Sequence, residues 1–130
     1  MVSIIADSCC DMTPQLREQP GVVSVPLTMT LGEDNYVDDD KLDLPAFMQA
    51  MKNCTGRIGS AAPSPNLFSD AFEEHSPSFG ITLSSKLSGT YQSAVVGQEL
   101  AEEEGAETYV FDSKSASAGE VLIAITLRKL

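Results

Sequence analysis

The chain has 130 residues, 42% of them hydrophobic, which suits one domain with a substantial core and leaves no room for a second complete one. Its 19 acidic against 8 basic residues give a net charge of −11 with no Lys/Arg cluster, which argues against nucleic acid or an anionic membrane surface as partner. Cys9, Cys10 and Cys54 are an odd count with two neighbours in sequence, so reduced thiols in the cytoplasm are expected, and neither an export leader nor a membrane-spanning run is legible.

In chain order, Val2 to Ala6 is a β-branched apolar run closed by Asp7-Ser8, which predicts a buried strand. Thr13-Pro14 predicts a helix cap and first position, with the helix ending before Pro20-Gly21. From Val23 to Leu31 the odd positions are apolar and the even ones are not, which predicts one half-buried strand, with Pro26 assigning it to a sheet edge. Gly32-Glu33-Asp34-Asn35 predicts a turn and Tyr36-Val37 the returning arm of a hairpin. Asp38, Asp39, Asp40 and Asp43 lack the alternation, central glycine and distal glutamate of a calcium loop, so no metal is expected there. Asp43 instead suits the cap of a helix whose Leu44, Phe47, Met48 and Met51 form a core-facing stripe.

Residues 54–59 read as irregular, leading into the turn Ser60-Ala61-Ala62-Pro63-Ser64. Ser64-Pro65 begins another helix, with Phe68, Ala71 and Phe72 on one face. Phe79 to Leu83 is a second buried strand, followed by the hydroxyl-rich stretch Ser84-Ser85-Lys86-Leu87-Ser88-Gly89-Thr90 and a helix taken to start at Ser88 and to end at Gly105. Thr108 to Phe111 is a further strand closing in Asp112-Ser113, and the segment from Ser115 to Leu130 becomes steadily more apolar. Strands alternating with helices predict an α/β fold: a parallel or mostly parallel sheet flanked by helices, with an edge hairpin.

Three strands thus finish in polar pairs, Asp7-Ser8, Ser84-Ser85 and Asp112-Ser113, and in an open parallel sheet all three gather on the carboxyl rim where ligands bind. A helix start at Ser88 turns free amides and a positive dipole end toward that rim, a fitting place for an anion. The stretch from Leu83 to Ala94 holds no carboxylate, histidine or cysteine, so neutral hydrogen bonding is expected there rather than acid–base chemistry. Asp7, Ser8, Asp112 and Ser113 read first as caps and turn formers and Ser64 as a helix start, with ligand support the secondary reading. His75 is read as a surface residue, and Cys9 and Cys10 as buried or inert thiols.

The motifs Asp7-Ser8-Cys9-Cys10-Asp11, Val25-Pro26-Leu27, Ser60 with Ser64-Pro65, Asp112-Ser113, and above all the run from Ser84 to Ala94 resemble the DegV family of bacterial fatty-acid-binding proteins over essentially the whole chain. The resemblance implies the amino-terminal α/β domain of a two-domain protein that clasps one long-chain fatty acid, with no other cofactor. It implies that Ser60 and Ser88 hold the acyl carboxylate, with Gly89 and Thr90 beside it, and that a fatty acid kinase receives the bound acid to form acyl phosphate for phospholipid synthesis. The turn departs from the family's usual Thr-Ser-Gln-Pro-Ser, keeping a hydroxyl at Ser60 but losing the polar pair at Ala61 and Ala62.

A lipid carrier, not an enzyme, is therefore the first expectation. A second is an enzyme on a small anionic metabolite with Asp7 or Asp112 as base, and a third is a fragment that associates with another chain. If the chain stands alone without a second domain, an exposed apolar face with dimerisation or aggregation is expected.

Overall fold

The computed structural model describes residues 2–130. Twelve elements follow in chain order: β1 (Ser3–Asp7), α1 (Pro14–Arg17), β2 (Val22–Val25), β3 (Thr28–Leu31), β4 (Asp34–Val37), α2 (Leu44–Asn53), β5 (Ile58–Ala61), α3 (Pro65–Glu74), β6 (Ser78–Thr82), α4 (Thr90–Glu103), β7 (Thr108–Asp112) and α5 (Ala118–Arg128). The main sheet has the order β2-β1-β6-β7 and is parallel throughout, as the alternating strand and helix patterns predict.

Alternation along β1 divides the core in two. Ile4 and Ala6 join Ile81, Met12, Leu16, Ala124 and Leu127 on the face covered by α1 and α5. Ile5 faces the other way, with Phe68, Phe72, Ala94, Ala101 and Val110 beneath α3 and α4. Burial on both faces explains why β1 is a continuous apolar run rather than an alternating one.

The caps follow the sequence closely. Thr13, Asp43 and Ser64 accept from the amides of Leu16, Ala46 and Leu67 at 3.2, 3.1 and 3.4 Å, each with proline in the first turn behind it. Gly105 takes φ +93 just beyond α4, and the Ala106 amide reaches back to the Ala101 carbonyl at 3.0 Å, a closure that a side chain at Gly105 would strain.

Four expectations are corrected. The alternating run from Val23 to Leu31 is two strands: β2 is the edge of the parallel sheet, while β3 pairs antiparallel with β4 and β5 in a separate sheet. Pro26 has no amide to continue a ladder, so the chain changes sheet there while its in-and-out alternation survives, with Val25, Leu27 and Leu31 all buried. The hairpin accordingly lies in this second sheet, with Gly32 at φ +64 in its turn. Residues 58–61, read as the end of an irregular segment and the start of the Ser60 turn, form β5 opposite β3, because β3 presents an edge that a short, glycine-containing segment can still pair with. Finally, the stripe on α2 is only partly buried: Phe47 is covered and meets Tyr36 edge-to-face at 5.1 Å, whereas Leu44 and Met48 are 57% and 42% exposed. A three-stranded sheet of four-residue strands is too small to cover the full stripe.

Helices α3 and α4 pack tightly at Gly97, where an added Cβ would lie 2.6 Å from Phe68 Cβ and 2.8 Å from the Pro65 carbonyl oxygen. Both are rooted near the backbone and cannot swing aside. Gly97→Val is expected to lower stability by about 1–3 kcal/mol through overpacking, read as a shift in the urea midpoint with unchanged m-value.

Candidate functional site

The chain leaves β1 toward β2 on one side and continues from β6 toward β7 on the other, so the strand order reverses between β1 and β6. At such a switch point the two following loops diverge and open a crevice at the strands' carboxyl ends. Asp7 closes β1 at this place and is fully buried. Its Oδ2 accepts from the Leu83 amide at 2.7 Å across the switch, and its Oδ1 accepts from the Cys9 amide at 3.0 Å. Burial pushes the Asp7 pKa up, opposed first by the Leu83 amide.

The turn after β6 grows from that anchor. The Ser84 carbonyl accepts from the amides of Leu87 and Ser88 at 2.9 and 3.2 Å, and Ser84 Oγ accepts from the Lys86 amide at 3.2 Å. The Ser84 amide donates to the Ser115 carbonyl at 2.8 Å, and the Ser117 amide to the Cys9 carbonyl at 3.0 Å. The three segments that follow β1, β6 and β7 are thereby tied into one unit.

Helix α4 starts at Thr90, two residues later than the sequence reading put it. Ser88 lies outside the helix, half-buried, and its Oγ accepts from the Thr90 amide at 3.2 Å and sits 2.9 Å from Thr90 Oγ1. Thr90 itself is fully buried. Gly89 occupies the cap position and has no side chain to offer, so the one side chain on the start of α4 among the described residues is Ser88, on the Thr90 amide. Its φ of −74 is open to any residue, and a Cβ built there meets nothing within 4 Å among the described residues. Neither backbone conformation nor packing therefore requires glycine at this helix start.

Ser60 is exposed in β5, in register with Met29 of β3, and Ala61 follows it opposite Thr28. Ser64 spends its hydroxyl on capping α3. From β5 the chain passes through buried Pro63 into α3, which is docked on α4 at Gly97.

The other polar rim residues are occupied by the fold. Ser8 Oγ accepts from the Leu27 amide at 2.9 Å, fastening the point where the chain changes sheet. Ser113 is buried, and its Oγ accepts from the Ser115 amide at 3.1 Å. Asp112 accepts from Ser85 Oγ at 2.5 Å and from the amides of Ser85 and Lys114 at 3.2 and 3.0 Å, and the Ser85 hydroxyl above all holds its pKa below the usual range. Cys9 and Cys10 have pKa values pushed up to about 11 and about 12, chiefly by burial and then by the Asp7 and Glu120 charges, which makes them poor nucleophiles.

One residue escaped the sequence reading. Glu120, in the first turn of α5, is fully buried, and neither carboxyl oxygen has a hydrogen-bond partner among the described residues. Burial, followed by the neighbouring Asp7 carboxylate, pushes its pKa up to about 9. Its only sequence signal is a lone acid at the head of an apolar helix, which reads equally well as a favourable charge at the dipole's positive end.

A family model described as "Uncharacterised protein, DegV family" matches residues 1–130. A DegV domain-containing protein of Streptococcus pneumoniae is 38% identical over 124 residues, covering 91% of this chain and 43% of the relative. Among solved structures, a DegV family protein from Ruminococcus gnavus with vaccenic acid superposes with a TM-score of 0.92 at 33% identity, over 98% of this chain and 47% of the other. The Fatty Acid Kinase (Fak) B3 protein of Streptococcus pneumoniae, loaded with linoleic acid, superposes at 0.89 with 33% identity, over 100% of this chain and 48% of the other. The chain thus spans about half the length of the relatives that it matches. With its whole length matched in sequence and nearly all of it in fold, the chain belongs to the DegV family.

Proposed function

We propose that these 130 residues bind the head of a long-chain fatty acid at the start of α4, with Ser88, Gly89 and Thr90 beside the carboxylate and Ser60 completing its hydrogen bonds. The observation that carries the reading is the start of α4 itself: a helix terminus whose cap position is a glycine, with open space around it that neither the backbone nor the core demands. A carboxylate there gains the helix dipole and exposed amides without a charged side chain. Apolar side chains exposed in the same segments, Ile58 at 55%, Leu67 at 46% and Leu87 at 69%, are suited to meet an acyl tail. Each CH₂ so covered contributes about 0.8 kcal/mol.

In a protein of the relatives' length, the remaining half would enclose the rest of the tail, and the partner would be a fatty acid kinase that receives the acid for phosphorylation. Among the described residues no helix is long and apolar enough to cross a membrane, and a cytoplasmic carrier fits the thiols Cys9, Cys10 and Cys54, which are all free. The carrier reading is favoured over an enzyme because both candidate bases are committed. Asp7 is buried with an amide on each oxygen, and Asp112 is held ionised by three hydrogen bonds. Ser64, Ser8 and Ser113 contribute by holding the rim rather than by touching the lipid.

Mass spectrometry of lipid extracted from the full-length protein is expected to show a fatty acid in near-stoichiometric amount, and protein that carries none and ignores added oleate would overturn the reading. Ser88→Ala is expected to weaken fatty acid binding about tenfold or more, the worth of one hydrogen bond to a charged group. Gly89→Ala separates binding from folding: titration calorimetry should show a comparable loss of affinity, while unfolding stability changes by no more than about 1 kcal/mol.

A further inference from the structure

The buried acid on α5 stands at the junction of the three rim segments, and no part of the lipid reading uses it. Glu120 and Asp7 are both fully buried, and they divide their partners unequally: Asp7 holds the amides of Leu83 and Cys9, while neither Glu120 oxygen has a partner among the described residues. Two like charges in one buried site repel strongly, so the pair retains a proton. It resides on Glu120, because amides at 2.7 and 3.0 Å stabilise the ionised form of Asp7, whereas the Ser117 amide alone acts in that sense on Glu120 and burial outweighs it.

The other groups that face this pair deepen its need for a proton. Helix α5 packs on β1 and β6. From β1 comes Asp7, and from the segment after it Cys9, Cys10 and Asp11. The buried residues at the end of β6, Ile81 and Thr82, carry no charge. Arg17 of α1 acts on the Cys10 thiol and Asp38 on the Cys9 thiol. On the helix's own side, the Ser117 amide faces Glu120 and favours its ionised form while the Ser117 hydroxyl donates to Asp11, and Arg128 lies at the far end of α5 beside Gly21.

We propose that Glu120 is a positioning residue for the anion site: as a neutral acid against Asp7, it leaves that carboxylate free to hold the Leu83 amide and, through it, the turn that carries Ser88. The inference rests on reading Ser88 and Gly89 as the lipid head-group site. The physical chain is short. The Leu83 amide is bound by Asp7 at 2.7 Å, the next residue, Ser84, offers the carbonyl that accepts the Ser88 amide at 3.2 Å, and Ser88 Oγ sits on the first amide of α4. Ionising Glu120 sets a second negative charge against Asp7, draws that carboxylate off the Leu83 amide and loosens the turn.

The sign of the linkage is fixed by the direction of the shift. The folded pKa of Glu120, about 9, lies above its ordinary value of 4.5, so between the two the folded chain keeps a proton that the unfolded chain has released. Its contribution to stability is present in full below the lower value, falls as pH rises through the interval, and is flat above about 9.

The experiment compares wild-type full-length protein with Glu120→Gln, which keeps the shape and cannot ionise. Oleate is the probe, and its own carboxylate titrates identically in both proteins. Wild-type affinity is expected to fall about tenfold between about pH 8 and pH 10, following the protonated fraction of Glu120, while the variant changes less than about twofold. The thermal midpoint of the variant should also lack the part of the fall with rising pH that belongs to Glu120. Parallel pH profiles in two proteins that both bind oleate overturn this inference and leave the head-group reading standing. Failure of the wild type to bind at any pH overturns the head-group reading instead. Should Glu120→Gln not fold, the wild type decides the matter by NMR: the Leu83 and Ser88 amide resonances must shift with the same midpoint as the Glu120 carboxyl, and a Leu83 amide indifferent to that titration overturns the proposal.

Discussion

One carboxylate organises the upper half of this molecule. Asp7 stands where the strand order of the parallel sheet reverses, and at that point the chain departs in opposite directions and leaves backbone amides with no ladder partner. By accepting from Leu83 on the neighbouring strand and from Cys9 on its own loop, Asp7 stitches the crevice shut at its base while leaving the rim free to carry other groups. An apolar residue there would strand both amides. The cost is a buried negative charge, and the fold meets it with the two amides and a neutral carboxylic acid next door.

Around this anchor the polar residues divide their labour. Ser8, Ser64, Ser113 and Asp112 are saturated with backbone amides and neighbouring hydroxyls, and so hold their segments at fixed positions. Ser88 and Gly89 differ in kind, since the Ser88 hydroxyl reaches only Thr90, two residues on, and the glycine at the cap position answers no demand of the backbone or the core. A rigid rim bearing one unsaturated helix start is what selective binding of an anionic head requires, because the ordering entropy is spent in folding rather than at the moment of binding.

Much of this was legible in the order of residues. The caps at Thr13, Asp43 and Ser64 and the closing glycine at 105 are local hydrogen-bond problems solved within a few residues, and the parallel sheet follows from apolar runs too short for helices, alternating with segments that are not. The run from Ser84 to Ala94 already resembles one family, in agreement with the match over the whole chain. The exchange of sheets at Pro26 was not legible, since alternation continues unbroken through the proline and only the choice of partner changes. The second sheet escaped for the same reason: β5 is four residues of weak pattern that become a strand because the edge of β3 is there to receive them.

By itself, the sequence determined most of the strands and helices, the starts of α1, α2 and α3 and the end of α4, and which hydroxyls crowd the carboxyl ends of the strands, because each of these depends on neighbours a few positions away. Only the tertiary structure decided which of those hydroxyls are spent on the fold, that the helix behind Ser88 starts at Thr90, and that Asp7 meets both Leu83 and Glu120. Those facts depend on residues 76 and 113 positions apart coming together in a buried place. There the loss of water, which no local pattern records, fixes which acid keeps its proton.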